Sequence, residues 1–413
     1  MSLVTEESVS PKTFLPYGRQ DISENDVEAV TSALRSDYLT QGPQIERFEG
    51  ALSEAVTARH AVVCASGTAA LHLAMLALDI KPGDEIVTTP NTFVADANCA
   101  RFVGAEVRFC DIDPGSGLMD PDKLAEILAR DRQRKIKAVI PVHFAGQPAD
   151  LETISDLAKS HGAYVVDDAC HALGAEYVEH GRRYTIGGTS RSDLTVFSFH
   201  PVKHITTGEG GAITASDPFL VSRLRQFRSH GIIRREFVHD EQACSSKGEP
   251  NPWYYEMTEL GFNYRMTDLQ AALGVSQLAR LQDIVAKRNQ IAQMYNRLLA
   301  STFDQSRVQA LTVRPNVTHA WHLYVVRVDF ESFDRTRARV MNKLRDRGIG
   351  TQVHYIPIHF HPYYSDRYRL GPGMFPKAEQ YYERALSLPM YPGLSEHDVE
   401  RVVTELESVL LNG

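Results

Sequence analysis

Between residues 61 and 215, short runs of apolar and β-branched residues alternate with helical patterns, and this alternation leaves the chain few folds to choose from. Runs at 61–64, 85–88, 106–110, 138–142, 164–166, 195–197 and 211–214 read as strands, with helices expected over 69–77, 121–130 and 150–160. Strands joined through helices pair in parallel. The pattern therefore predicts an α/β fold with a mostly parallel seven-stranded sheet in one large domain. Upstream, Ser23 and Asp26 form a capping-box pattern opening a helix over 23–34, and a second amphipathic helix is expected over 45–56.

After residue 223 the periodicity weakens, and the charged, Gly- and Pro-bearing stretch 236–252 reads as a surface excursion. Thr267 is placed to cap a long helix running through 286–299. Strands at 322–329 and 351–355, a helix over 335–347 and a terminal helix over 395–411 complete a smaller C-terminal α+β domain. The expected division is a large domain over 13–270 and a small one over 271–413. Residues 1–12 are polar and are expected to be mobile.

A chain of 413 residues with 43% hydrophobic content can bury a large core. Its net charge of −8, with no long basic stripe, argues against nucleic acid or a membrane surface as partner. Cys64, Cys99, Cys110, Cys170 and Cys244 are scattered, with no C-x-x-C pair, which suits free thiols in a reducing compartment. No signal-like or membrane-spanning run is present, so a cytoplasmic location is expected. The Asn316-Val317-Thr318 sequon is then a chance match.

Chemistry concentrates in three stretches. In TVFSFHPVKHITTGEGGAIT, residues 195–214, Lys203 is the only lysine, placed between an apolar strand and the turns at Gly208, Gly210 and Gly211. An isolated lysine usually sends its ammonium to solvent. Desolvation at a strand end would instead lower its pKa and free an amine able to attack a carbonyl. The second stretch, AYVVDDACHALG at 163–174, is an apolar strand ending in Asp167 and Asp168, where an open α/β sheet binds its ligands; a helix cap is the plainer alternative for these acids. The third, CASGTAALH at 64–72, runs from a strand through Ser66, Gly67 and Thr68 into a helix, a ready phosphate cradle. An amine for an aldehyde, an acid for a pyridinium nitrogen and a phosphate site are what pyridoxal phosphate requires.

Other residues are weighed against plainer roles. Phe93 follows a strand end and could lie flat on a planar ring or simply pack in the core. His200 and His204 flank the lysine without a needed chemical role. His319, His322, His354, His359 and His361 match no closed zinc spacing, and no metal is expected. Dinucleotide and P-loop signatures are missing from the sequence.

The segments TQGP at 40–43, ASGTAAL at 65–71, NTFVA at 91–95, DACHALG at 168–174, SFHPVK at 198–203 with EGG at 209–211, and GFNYR at 261–265 together resemble the fold-type I, pyridoxal-phosphate-dependent sugar aminotransferases of the DegT type. The resemblance spans nearly the whole chain. It implies that Lys203 anchors the cofactor aldehyde, that Asp168 pairs with the ring nitrogen, and that Gly67, Thr68 and Ser198 hold the phosphate. It further implies Phe93 on the ring face, His171 near the phenolic oxygen, and Asn263 reaching the phosphate of a neighbouring subunit, hence a homodimer with shared active sites. Arg234, Arg265, His354 and Tyr355 become candidates for substrate contact, with structural ion pairs the alternative for the two arginines.

Within the family, the segments around 200–211 and 252–265 most resemble transaminases of pseudaminic acid synthesis, which aminate C4 of a UDP-linked 4-keto-6-deoxy-L-sugar. The partners implied are a nucleotide-sugar substrate and an amino-acid donor, glutamate. A dTDP- or GDP-linked keto sugar is the alternative substrate. Loss of amine transfer, as in sugar dehydratases with histidine for the lysine, is opposed by Lys203. A non-catalytic regulatory protein would be expected to have lost Lys203, Asp168 or Ser198. One departure from the family pattern is Asp167, where glutamate is frequent.

Overall fold

The seven expected runs all pair in one sheet in the computed structural model, which describes residues 14–188 and 191–412. The expectation for residues 1–12 falls outside that range. The first half of the chain contains helices α1 (Glu24–Leu34) and α2 (Pro43–Ala55), β1 (His60–Cys64), α3 (Gly67–Ala77), β2 (Glu85–Thr88), α4 (Ala95–Phe102) and β3 (Glu106–Phe109). It continues through α5 (Pro121–Arg130), β4 (Ile136–Val139), α6 (Leu151–His161) and β5 (Tyr164–Asp168). A hairpin, β6 (Glu176–Glu179) and β7 (Arg182–Thr185), precedes β8 (Leu194–Ser198), β9 (Gly211–Ala215) and α7 (Pro218–Arg228). The sheet order is β1-β9-β8-β5-β4-β2-β3. Only β9 runs against its neighbours, so the sheet is mostly parallel.

The strands are nearly continuous apolar runs because both faces are covered. One face carries α3, α4 and α7 over a core including Val62, Leu73, Ile86, Val166 and Leu224. The other buries Phe48, Leu52, Val63, Phe197 and Leu281. Gly211 lets β9 pass against the start of α3, since a Cβ there would lie 2.4 Å from the Ser66 carbonyl carbon. Helix α1 starts with the anticipated capping box, Ser23 and Asp26 each accepting the other's backbone N–H.

The helix expected beyond Thr267 is two helices, Asp268–Leu278 and Leu281–Thr302. The chain breaks where the Arg280 guanidinium turns onto Asp21 at 2.9 Å and Asp26 at 2.8 Å. In the C-terminal layer, strands Val308–Ala310, Tyr324–Val328 and Ala385–Leu388 form a three-stranded sheet. It packs under helices Leu281–Thr302, Arg337–Asp346 and Glu396–Asn412.

The strand expected over 351–355 does not form. Gln352 makes a single bridge to Ser387, after which consecutive residues His354 and Tyr355 both line the same cavity, an arrangement the two-residue period of a strand forbids. The β6–β7 hairpin was not anticipated; its turn residues His180 and Gly181 have φ of 49° and 76°, the left-handed pair that suits a tight hairpin.

The N-terminal segment is tied to the C-terminal layer. Leu15 exchanges backbone hydrogen bonds with Gly348 and Gly350, and Met390 N–H donates to the Tyr17 carbonyl at 3.0 Å. Among the described residues no helix is long and apolar enough to cross a membrane.

Gly211→Ala is expected to force the start of α3 off the sheet. Overpacking of this kind costs about 1–3 kcal/mol, seen as a lower urea midpoint with an unchanged slope, and an unaltered midpoint would refute the close approach.

Candidate active site

Parallel pairing of β5 with β8 sets Asp168 opposite Val196, so the acid and the loop carrying Lys203 leave the same edge of the sheet. They open into a cavity of about 430 Å³. Gly67, Thr68, Phe93, Asp168, His171, Ser198, Lys203, His354 and Tyr355, nine of the expected site residues, line it.

At its floor lies the first turn of α3. Ser66 caps the helix, its Oγ accepting from Ala69 N–H at 3.1 Å, while the amides of Gly67 and Thr68 precede any intrahelical acceptor. Ser198 sits close beside them, and a Cβ on Gly67 would lie 2.9 Å from the Ser198 Cβ. Small residues, free amides and a hydroxyl are a phosphate-binding arrangement.

Asp168 is 7% exposed, and its Oδ1 accepts from Cys170 N–H at 2.9 Å. Burial pushes the Lys203 ammonium below the ordinary lysine pKa, and the nearby Cys170, Asp168 and Asp96 offset this only in part. His171 Nε2 lies 3.1 Å from Tyr355 Oη, and its Nδ1 is buried without a partner among the described residues. Desolvation holds His171 and His322, whose rings are 4.3 Å apart, well below the usual histidine pKa, so both are neutral at pH 7. Phe93 is 57% exposed at the rim, 6.2 Å from the Tyr355 ring.

Three expected residues are not brought to this cavity within one chain. Asn263 is exposed, bridged through its backbone to Ser229. Arg265 lines a separate cavity of about 600 Å³ beside Glu49 and Arg228, its Nε buried without an acceptor among the described residues. Arg234 is exposed, with its guanidinium 5.6 Å from the Tyr255 ring centre.

The sequence reading missed Asp96, Thr92, Tyr17 and His322, all on the cavity wall. Asp96 had a usable signal, a carboxylate in a segment of small and apolar residues just after the expected ring-stacking Phe93. Tyr17 and His322 come from distant parts of the chain and had none. His204, left without a chemical role, is buried with its Nε2 2.9 Å from the Ala320 carbonyl. His354 and His359 pair with Ser387 and Glu379 rather than with each other.

A mostly parallel sheet with a phosphate-type helix start, a desolvated lysine and a buried acid around one cavity defines a pyridoxal-phosphate enzyme of fold type I. The chain belongs to the DegT/DnrJ/EryC1/StrS aminotransferase family, whose model matches residues 20–407. It is a sugar aminotransferase with pyridoxal phosphate as cofactor. It is 40% identical over 400 residues to the spore coat polysaccharide biosynthesis protein SpsC of Bacillus subtilis, covering 96% of this chain and 97% of that one. Among solved structures it is similar to Helicobacter pylori PseC, described as an aminotransferase involved in the biosynthesis of pseudoaminic acid. That match has a TM-score of 0.84 and 31% identity, covering 96% of this chain and 99% of that one. The PLP-form of a Streptococcus pneumoniae protein described as a putative sugar aminotransferase matches with a TM-score of 0.83 and 28% identity, over 96% and 98% of the two chains.

In the cofactor-free protein the Lys203 amine should titrate below the ordinary lysine value of about 10.4. Its depressed folded pKa means the folded state binds fewer protons than the unfolded one as pH rises past that value. The destabilisation is complete below the folded pKa and is relieved between it and the unfolded pKa. NMR of the reductively ¹³C-methylated protein, with Lys203→Arg to assign the signal, checks this; a midpoint at or above the ordinary value would contradict it.

Proposed function

We propose that this enzyme transfers an amino group from an amino acid, glutamate, to C4 of a UDP-linked 4-keto-6-deoxy sugar destined for a surface glycan of the pseudaminic acid type. The observation that carries the reading is the convergence of Lys203, Asp168 and the α3 start on one cavity. The sugar assignment draws on the printed descriptions of PseC and SpsC. Five free cysteines agree with action in the cytoplasm.

Bound at this site, pyridoxal phosphate supplies an aldehyde and an electron-accepting ring. Gly67, Thr68 and Ser198 would hold its phosphate, Phe93 would cover a ring face, and His171, steadied by Tyr355, would orient the phenolic oxygen. Asp168 keeps the ring nitrogen protonated. Lys203 would anchor the aldehyde, and its amine would be placed to take a proton from the donor Cα and to give it back. A lowered pKa suits both duties, because only the neutral amine can attack or accept a proton.

Among the described residues the cavity wall carries Lys203 as its only lysine or arginine. A dicarboxylate donor and a nucleotide diphosphate need further cations and donors. A second copy of the chain supplies them in this reading, through Asn263, Arg265 and Arg234, making the working form a homodimer with shared sites. His354 and Tyr355 face the sugar from within the chain.

Purified enzyme with glutamate should aminate UDP-linked 4-keto-6-deoxy sugars in preference to dTDP- and GDP-linked ones, measured by mass change of the sugar nucleotide. Lys203→Ala should lower the rate by roughly 10²–10⁴-fold or more, and a preference for another nucleotide would overturn the assignment. Mixing inactive Lys203→Ala with an inactive Asn263→Ala/Arg265→Ala double variant should restore roughly a quarter of wild-type activity if sites are shared across a two-fold dimer. No recovery after subunit exchange, verified by mass, would place those residues outside the site.

A further inference from the structure

Asp96 and Glu209 are carboxylates on the cavity wall that the functional reading leaves unused, and of the two only Asp96 is buried. It sits in the first turn of α4, is 1% exposed, and lines the cavity with Asp168. The Thr92 hydroxyl donates to its Oδ2, while Oδ1 is buried without a donor among the described residues. What does face Asp96 is another acid, since the Asp168 side chain lies within hydrogen-bonding reach.

Two carboxylates this close in a desolvated site cannot both be anions without a large penalty, and a single proton between them removes it. That proton also satisfies the orphaned Oδ1. We propose that Asp96 is a positioning residue that carries a proton at neutral pH and donates it in a hydrogen bond to Asp168, holding Asp168 as the single anion turned to the cofactor's ring nitrogen.

This rests on the role given above to Asp168. Charge then balances locally, with one carboxylate opposite one protonated ring nitrogen. The other titratable groups facing the pair are Lys203, Cys99, Cys170 and Tyr355. Burial raises the two thiols and the phenol, which remain neutral at pH 7, leaving Lys203 as the only cation among them. Desolvation and Asp168 together push Asp96 well above the usual carboxylate range, in agreement with the shared proton.

The test uses the full-length protein with and without cofactor. In the cofactor-free form at neutral pH, infrared difference spectra should show a protonated-carboxyl band missing from Asp96→Asn. In the loaded form, Asp96→Ala should release cofactor roughly 10- to 100-fold faster, the worth of one hydrogen bond to a charged group. It should also shift the pH midpoint of the cofactor's absorption band. Asp96→Asn, whose amide can still donate, should retain cofactor nearly as wild type.

Absence of the protonated band, or an Asp96→Ala enzyme with wild-type cofactor retention and spectral midpoint, overturns the proposal. If Asp168→Asn also leaves the spectrum and its midpoint unchanged, the role of Asp168 itself fails. A spectral change with Asp168→Asn but none with Asp96→Ala fails only the present inference. A loss of folding in Asp96→Ala is separated from loss of the hydrogen bond by Asp96→Thr, which keeps a donor of similar size. It should hold cofactor better than the alanine variant, and equal loss in the two counts against the proposal.

Discussion

The site depends first on the parallel pairing of β5 with β8. Because Asp168 lies opposite Val196, the acid at the end of one strand and the loop after the next emerge side by side. A one-residue slip would turn either strand's side chains to the other face of the sheet and separate the two groups. β9 then returns antiparallel beside β8, and Gly211 brings it against the Ser66 carbonyl, so the phosphate-binding turn is fixed to the same edge. Three short segments, far apart in the chain, are positioned by one set of ladder hydrogen bonds.

Desolvation does the chemical tuning. His171 and His322 are kept neutral, so neither competes with the cofactor for protons, and Lys203 is driven toward the free amine. Among the described residues Lys203 is the one lysine or arginine on the cavity wall, and the imidazoles of His171, His322 and His354 there are neutral. Strongly anionic substrates then need cationic groups from beyond the cavity wall.

Much of the fold was legible because buried parallel strands are short apolar runs set off by helices, a pattern that survives without long-range information. All seven runs of the main sheet were of this kind, and the capped starts at Ser23 and Thr267 were visible in local chemistry. The failures were tertiary in origin. The break after Leu278 follows from Arg280 reaching Asp21 and Asp26 some 250 residues away, and residues 351–355 leave the strand geometry because His354 and Tyr355 both turn inward. Lys203, Asp168 and the Ser66–Thr68 turn could be read from strand-end position and residue type. Tyr17 and His322 could not, since only folding brings them to the same wall. Asp96 lay between these cases, a buried charge whose meaning depended on finding a second acid beside it.

The short N-terminal stretch from Leu15 to Tyr17 adds a parallel bridge at Ile349 to the C-terminal layer, yet its last residue walls the cavity. One wall of the site is thus held by a seam between the stretch 15–17 and the distant residues 348–350 and 390. Removing residues 15–17 would unpick that seam and take Tyr17 from the cavity wall.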